Sequence, residues 1–178
     1  MNIMIVGVGG QGTLLASRIL GKVAIKEGYD VKVSEVHGMS QRGGSVVTYV
    51  KYGDKVYSPI IDRGEADLIL AFEMLEAMRA LPYLKKGGKM IANTQKMNPM
   101  PVITGAMEYP ENIEEKLSAK INLQAVDALS LAEKAGTIKA VNVVLIGLLA
   151  KSMDVDKNVW IDVIKETVPK KFLDVNIK

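Results

Sequence analysis

Two glycine-rich stretches fall within the first 44 residues, Gly7-Val8-Gly9-Gly10-Gln11-Gly12 and His37-Gly38-Met39-Ser40-Gln41-Arg42-Gly43-Gly44. The second holds the only histidine and one of four arginines. Glycine lets a backbone turn tightly and approach a ligand, and the unpaired N–H groups at a helix start favour an anion such as a phosphate. Arginine adds a planar fork suited to phosphate or carboxylate, and the glycines beside Arg42 free their N–H groups to join it. The candidate binding residues are Gly7, Gly9, Gly10, Gln11, Gly12, Ser40, Arg42, Gly43 and Gly44. No residue is assigned a catalytic or metal-ligating role.

Several chemistries fit these stretches. Gly7, Gly9 and Gly12 match the G-x-G-x-x-G dinucleotide fingerprint between a strand and a helix, and Glu35 lies where a ribose-binding acid is wanted. A dinucleotide fold needs a crossover helix after its second strand, whereas this chain runs through a glycine loop into a hairpin. The other readings are that the glycines only let strand and helix pack closely, or that they form an anion site of another kind. Arg42 also fits a tight loop carrying a solvated arginine. His37 has only Glu35 near it at catalytic spacing and reads as a structural loop histidine. Glu73, Glu76 and Arg79 fall at i, i+3 and i+6 of one helix, the pattern of solvated salt bridges. Trp160 with Val159, Val163 and Ile164 reads as helix packing. With no nucleophile triad, metal-ligand cluster or isolated carboxylate pair, the chain has the character of a binding subunit and not of a complete enzyme.

The elements that must position these residues read as an α/β succession. Ile3 to Val6 form an apolar strand, and after the first glycine loop Leu15, Ile19 and Val23 share a helical row with Ala16, Leu20 and Ala24 beside them. Gly28 is a suitable helix C-cap, and a second strand spans 31–36. The β-branched and aromatic run 45–52 then leads through Gly53-Asp54 into 55–58, which reads as a hairpin. A strand at 67–72, a helix at 73–84, a Lys-Lys-Gly-Gly turn and a strand at 89–93 resume the rhythm. The loop 94–101 runs over the surface, Pro110 and nearby acids open a short helix, and 121–126 is another strand. Asp127 is an N-cap for a helix ending before Gly136, helices follow at 141–151 and 156–168, and Pro169 leads into a short tail.

Composition narrows the classes further. At 178 residues the chain suits one domain with a substantial core. Its net charge of +3 is spread along the whole length, without the basic clusters or interleaved aromatics of nucleic-acid binders. It has no cysteine, so it cannot itself hold an iron–sulfur cluster, and one histidine does not make a zinc site. No basic start resembles a signal peptide, and the longest apolar stretch, 143–150, falls far short of the ~20 residues of a membrane span. The expectation is a soluble, cytoplasmic protein without nucleic-acid or membrane partners.

Taken in order, the residues resemble a known family. The first glycine loop with its Ala16-Ser17-x-Ile19-Leu20 helix, then Glu35 and Val36 running into the second loop, is similar to the small (beta) subunit of indolepyruvate:ferredoxin oxidoreductases. These are relatives of the gamma domain of pyruvate and 2-oxoacid:ferredoxin oxidoreductases. The likeness continues through Ala66-Asp67, Phe72-Glu73-Met74-Leu75-Glu76-Ala77-Met78-Arg79, Asn93-Thr94, Tyr109-Pro110, Ala135-Gly136 and Asn142-Val143-Val144-Leu145-Ile146-Gly147. The Gly-Gly-Gln-Gly and Arg-Gly-Gly elements recur across the wider superfamily, while His37-Gly38-Met39-Ser40-Gln41 points to the arylpyruvate branch. Similar subunits continue past an Asn-Leu-x-Ala-Phe-like segment, and here the sequence stops at Asn176-Ile177-Lys178.

The resemblance implies one pyruvate/ketoisovalerate ferredoxin oxidoreductase gamma-type domain over residues 1–178. Its fold is a three-layer α/β domain with a mainly parallel sheet, one β-hairpin and C-terminal helices. It implies a subunit of an enzyme that oxidatively decarboxylates arylpyruvates to acyl-CoA and reduces ferredoxin, inactive when isolated. Thiamine diphosphate, magnesium and iron–sulfur clusters would sit on the large (alpha) subunit, with CoA as co-substrate and ferredoxin reached through the complex. The alternatives are the gamma subunit of another 2-oxoacid:ferredoxin oxidoreductase, acting on pyruvate, 2-oxoglutarate or a branched-chain acid, and, in a different class, a free-standing dinucleotide-binding module. Parallel neighbouring of the first two strands would bring the glycine loops together, and the second loop would face the large subunit.

Overall fold

The computed structural model describes residues 1–38 and 43–177. Its strands are β1 (Asn2–Val8), β2 (Asp30–His37), β3 (Ser45–Gly53), β4 (Ala66–Ala71), β5 (Leu84–Asn93) and β6 (Asn122–Val126). They form one six-stranded sheet in the order β2-β3-β1-β4-β5-β6. β1, β4, β5 and β6 are mutually parallel, and β3 is antiparallel to both β1 and β2. It follows that β2 runs in the same direction as β1 although β3 lies between them.

The helices are α1 (Thr13–Lys26), α2 (Met74–Ala80), α3 (Met100–Ile103), α4 (Ile113–Ser118), α5 (Ala128–Ala135), α6 (Val141–Ala150), α7 (Lys157–Thr167) and α8 (Leu173–Ile177). Alternation along β1 decides which layer each residue serves. Ile3 and Ile5 face a core shared with Ile19, Leu20 and Val23 of α1, Leu145 and Leu149 of α6, and Trp160 and Val163 of α7. Met4 and Val6 face the opposite core, with Met74 and Leu75 of α2 and Ile113 and Leu117 of α4. The result is three layers, as expected. Among the described residues no helix is long and apolar enough to cross a membrane.

The hairpin lies elsewhere than expected. The segment 55–58 contributes no strand. Instead β2 and β3 pair along Asp30↔Gly53 to His37↔Val46, so the second glycine stretch is itself the hairpin connection. The physical reason is that β3 lies inside the sheet, where pairing with β1 on one edge and β2 on the other satisfies its backbone N–H and C=O groups on both sides, a role that 55–58 could fill on one edge only. The first two strands are thus not neighbours.

Three smaller differences have local causes. Residues 85–88 are not a turn between helix and strand but belong to β5, whose pairing with β4 shifts register between Ala66 and Leu68. Gly87 there has φ +80, and a β-carbon on Gly88 would sit 3.0 Å from Asp67 O. The helix at 73–84 stops at Ala80 and tightens into a 3-10 turn, Leu81–Tyr83, at Pro82. The tail after Pro169 is helical, as α8, with Asn176 Nδ2 donating to Phe172 O.

Candidate functional site

The first glycine loop leaves β1 at the carboxyl edge of the parallel strands, where ligands of open α/β sheets bind. Because Val8 pairs with Ser45 and His37 pairs with Val46, both glycine stretches emerge at this edge. Gly9 N–H donates to Gly44 O at 2.9 Å, and Gly43 N–H reaches Gly9 O at 3.5 Å. The two stretches therefore converge, with β3 as the bridge in place of direct neighbouring of β1 and β2.

Within the first loop the residues divide between those that build it and those left facing out. Gln11 builds it. Its Oε1 accepts from Val8 N–H at 2.8 Å, and its Nε2 lies 3.2 Å from both Phe72 O and Gln95 Oε1. Gly7 is closed in, since a β-carbon there would lie 2.9 Å from Gln11 Oε1 and 3.0 Å from Phe72 Cβ. Gly12 has φ +87 and opens α1 without any side-chain cap. Gly10, at φ +101, has open space around it.

The N–H groups of Gly9, Gln11 and Gly43 are engaged with Gly44, Val8 and Gly9 respectively. Among the described residues, no protein group takes the N–H of Gly10 or Gly12. Thr13 and Leu14 in the first turn of α1 add two more that have no partner within their helix. Ser40 and Arg42 lie outside the described residues.

Against Ser45, at the start of β3, stands α2, and here the structure corrects the expectation of solvated acids. Glu73 is 1% exposed and Glu76 is 4% exposed. Glu73 caps α2 by accepting from Glu76 N–H at 2.9 Å, and its Oε1 also accepts from Met97 N–H at 3.0 Å and the Tyr109 hydroxyl at 2.5 Å. Burial, then the hydrogen bond to Glu73, pushes the Tyr109 hydroxyl well above the ordinary tyrosine range. Glu76 Oε2 accepts from Ser45 Oγ at 2.5 Å, directly after Gly44, and Oε1 accepts from Arg79 at 2.6 Å. Every carboxylate oxygen has a donor, which is what lets these charges remain buried.

A third set of polar residues closes the edge from below. Asn93, fully buried at the end of β5, donates to Phe72 O at 3.2 Å and accepts from Ala128 N–H, at the start of α5, at 3.1 Å. Asn142, buried near the start of α6, lies against Gly12. Neither role is apparent from the residue types taken singly. The available signal was an amide at the end of a buried apolar strand, Met90-Ile91-Ala92, and another just ahead of the apolar run 143–146.

The remaining candidates lie apart from the convergence or serve the fold. Glu35 accepts from Thr48 Oγ1, at 3.3 Å, across the β2–β3 pair. His37 is exposed, its Nδ1 3.0 Å from Gly38 O. Trp160 is buried in the α1-side core. Among the described residues no group of three or more His, Cys, Asp or Glu is placed to hold a metal.

Comparison with known proteins agrees with this architecture. The model of the pyruvate ferredoxin/flavodoxin oxidoreductase family matches residues 2–178. The indolepyruvate oxidoreductase subunit IorB of Pyrococcus horikoshii is 46% identical, over 99% of this chain and 91% of its own length. The subunit of the same name from Thermococcus kodakarensis is 44% identical with the same coverage. The crystal structure of the pyruvate oxidoreductase subunit PORC of Thermotoga maritima superposes with a TM-score of 0.76 at 19% identity, covering 99% of this chain and 90% of that one.

Proposed function

We propose, from the premise that the chain belongs to the pyruvate ferredoxin/flavodoxin oxidoreductase family, that it is the small subunit of an indolepyruvate-type (arylpyruvate):ferredoxin oxidoreductase. The observation that carries this reading is the 46% identity to an indolepyruvate oxidoreductase subunit over nearly the whole chain. The complex would decarboxylate an arylpyruvate, join the acyl group to CoA and pass the electrons to ferredoxin, in the cytoplasm. The chain has no cysteine for iron–sulfur clusters, and its Gly53-Asp54-Lys55 turn does not continue into the Gly-Asp-Gly sequence that holds thiamine diphosphate through magnesium. Those groups belong on the large subunit, and residues 1–178 act as one domain that completes its site.

The contribution of this chain is an anion site at the converged glycine loops. Gly10 and Gly12, with the first turn of α1, present N–H donors to a phosphate of CoA, and Arg42 supplies the positive charge. Gly7, Gln11, Gly9 and Gly43 shape the loops, and Ser40 and Gly44 flank the arginine. The site lies at the subunit boundary, where the thioester-forming group can reach the large subunit's chemistry.

The test is reconstitution. The purified chain with an arylpyruvate and CoA should reduce neither ferredoxin nor a viologen dye, and activity should appear on adding the large subunit. Turnover by the chain alone overturns the reading. In the assembled enzyme Arg42→Ala should raise the apparent KM for CoA at least about tenfold, the cost of a charge-assisted contact.

A further inference from the structure

Asn142 combines burial with an unused donor. It stands in the first turn of α6 and is 8% exposed. Its Oδ1 accepts from Val143 N–H at 2.9 Å, which fixes the carbonyl end of the amide on its own helix and leaves the NH2 end for another partner. That end lies against Gly12, with Nδ2 2.7 Å from where a β-carbon on the glycine would stand. Among the described residues Nδ2 donates to no protein group. Asn93, the other buried amide at this edge of the sheet, uses both ends, donating to Phe72 O and accepting from Ala128 N–H. Buried amides are normally satisfied in this way, so the free end of Asn142 calls for an acceptor from outside the chain.

Gly12 is the cap of α1, a helix of 14 residues that begins without a side-chain cap. The N–H groups of Gly10, Gly12, Thr13 and Leu14 have no protein acceptor among the described residues. Asn142 comes from a different helix, far along the sequence, and brings a further donor to the same point. Gly12, with no side chain, leaves the space that the amide occupies. Every group in this set donates and none accepts. Such a set suits an anion with several acceptor oxygens, as a phosphate has, and offers nothing to a cation.

We propose that Asn142 is a ligand-binding residue: its Nδ2 completes, with the N–H groups of Gly10, Gly12, Thr13 and Leu14, the cradle for one phosphate of CoA. This rests on the reading of the first glycine loop as a CoA anion site. A residue that only buttressed Gly12 would need the shape of the amide. A residue that binds the phosphate needs its donor.

Aspartate separates the two. Asn142→Asp keeps the shape, keeps an acceptor for Val143 N–H and places a carboxylate at a helix start, where it is tolerated. It replaces the donor with a negative charge. The experiment uses the assembled enzyme carrying Asn142→Asp or Asn142→Ala and measures the apparent KM for CoA and for the 2-oxoacid, together with amide exchange of the parent enzyme with and without CoA. Asn142→Asp should raise the CoA KM at least about tenfold, and Asn142→Ala, which removes the donor without adding charge, by about three- to tenfold. The 2-oxoacid KM should move by less than about twofold in both. In the parent, CoA should slow exchange at 9–14. If it does so while Asn142→Asp keeps the parent's CoA KM, the anion site stands and the binding role of Asn142 is overturned. No slowing at 9–14 overturns the anion site itself. If neither variant assembles, the side-chain amide signal of Asn142 in the parent enzyme, labelled with 15N at asparagine, decides. It should shift on adding CoA, and an unmoved signal overturns the proposal.

Discussion

A β-carbon placed on Gly12 would lie 2.7 Å from Asn142 Nδ2, and Gly12 itself sits at φ +87. Two separate penalties therefore meet at one position. A left-handed backbone costs an L-residue about 1 to 2 kcal/mol, and an overlap in a packed region costs about 1 to 3 kcal/mol. Gly12→Ala should destabilise the chain by roughly their sum. Adding Asn142→Ala should recover the steric part and leave the backbone part, so denaturant midpoints of the two single variants and the double variant should be non-additive. Additive losses would show that Asn142 yields freely and does not buttress the loop.

Gly7 and Gly10 separate the same two penalties. A side chain on Gly7 meets Gln11 Oε1, Phe72 Cβ and Thr13 Cγ2 at 2.9 to 3.1 Å, whereas Gly10 is open but at φ +101. Gly7→Ala should lower the melting temperature through crowding. Gly10→Ala should cost only the conformational part, about 1 to 2 kcal/mol, and Gly10→Asn less, because asparagine tolerates positive φ. Thermal melts of the three variants give the ranking, and equal losses at Gly7 and Gly10 would contradict it.

The buried Glu73 joins α2, the segment after β5 and Tyr109. Tyr109→Phe removes one donor and should cost about 1 kcal/mol. Glu73→Ala also strips the cap from α2 and leaves Met97 N–H unpaired, so it should cost about 2 to 4 kcal/mol. Urea unfolding of both variants checks the order, and a larger loss for Tyr109→Phe would show that the hydroxyl is held elsewhere.

The glycine loops and the strand–helix rhythm were legible because each rests on local chemistry. Apolar residues before Gly7, the helical row after it, Gly28 at φ +86 and Asp127 capping α5 all behave as their sequences dictate. What was illegible depends on partners distant in sequence. Run 45–52 reads equally well as a strand turning back at Gly53-Asp54 or as one pairing across the glycine loop. Only insertion between β1 and β2 decides between them. Glu73 and Glu76 look like surface acids at helical spacing until Ser45, Met97 and Tyr109 reach them from three other segments. Asn93 and Asn142 show the same limit: their place beside apolar runs points to burial, but Phe72, Ala128 and Gly12, which they meet, lie in other segments of the chain.

Acid stability should carry the mark of Asp67. Burial pushes its carboxyl upward, but Asn2 N–H at 2.8 Å and Lys85 at 3.0 Å outweigh that, and the net position lies below the ordinary 3.8. The folded form therefore binds the proton more weakly than the unfolded chain. The stability this gives is complete above the unfolded value and is lost as pH falls through the depressed one. Asp67→Asn should lower stability at neutral pH, and the gap to the parent should close as pH falls below about 4. A gap that stays constant down to acid unfolding would place the cost in packing and not in the charge.

The second glycine loop is the surface most exposed to test by assembly. Val36 and His37 at the end of β2 are exposed, as are Gly38 and Gly43 on either side of the loop. On the proposed reading, this exposed valine beside a histidine and glycines is part of the surface that meets the large subunit. In complex with the large subunit, amide exchange over residues 37–44 should slow markedly relative to the free chain, while β5 should be unchanged because it is already buried. Adding CoA should slow exchange further at 9–13, where Gly10, Gly12 and the first turn of α1 present their N–H groups. Protection confined to α6, α7 and α8, with 37–44 exchanging as in the free chain, would place the interface on the opposite layer and separate the loop from assembly.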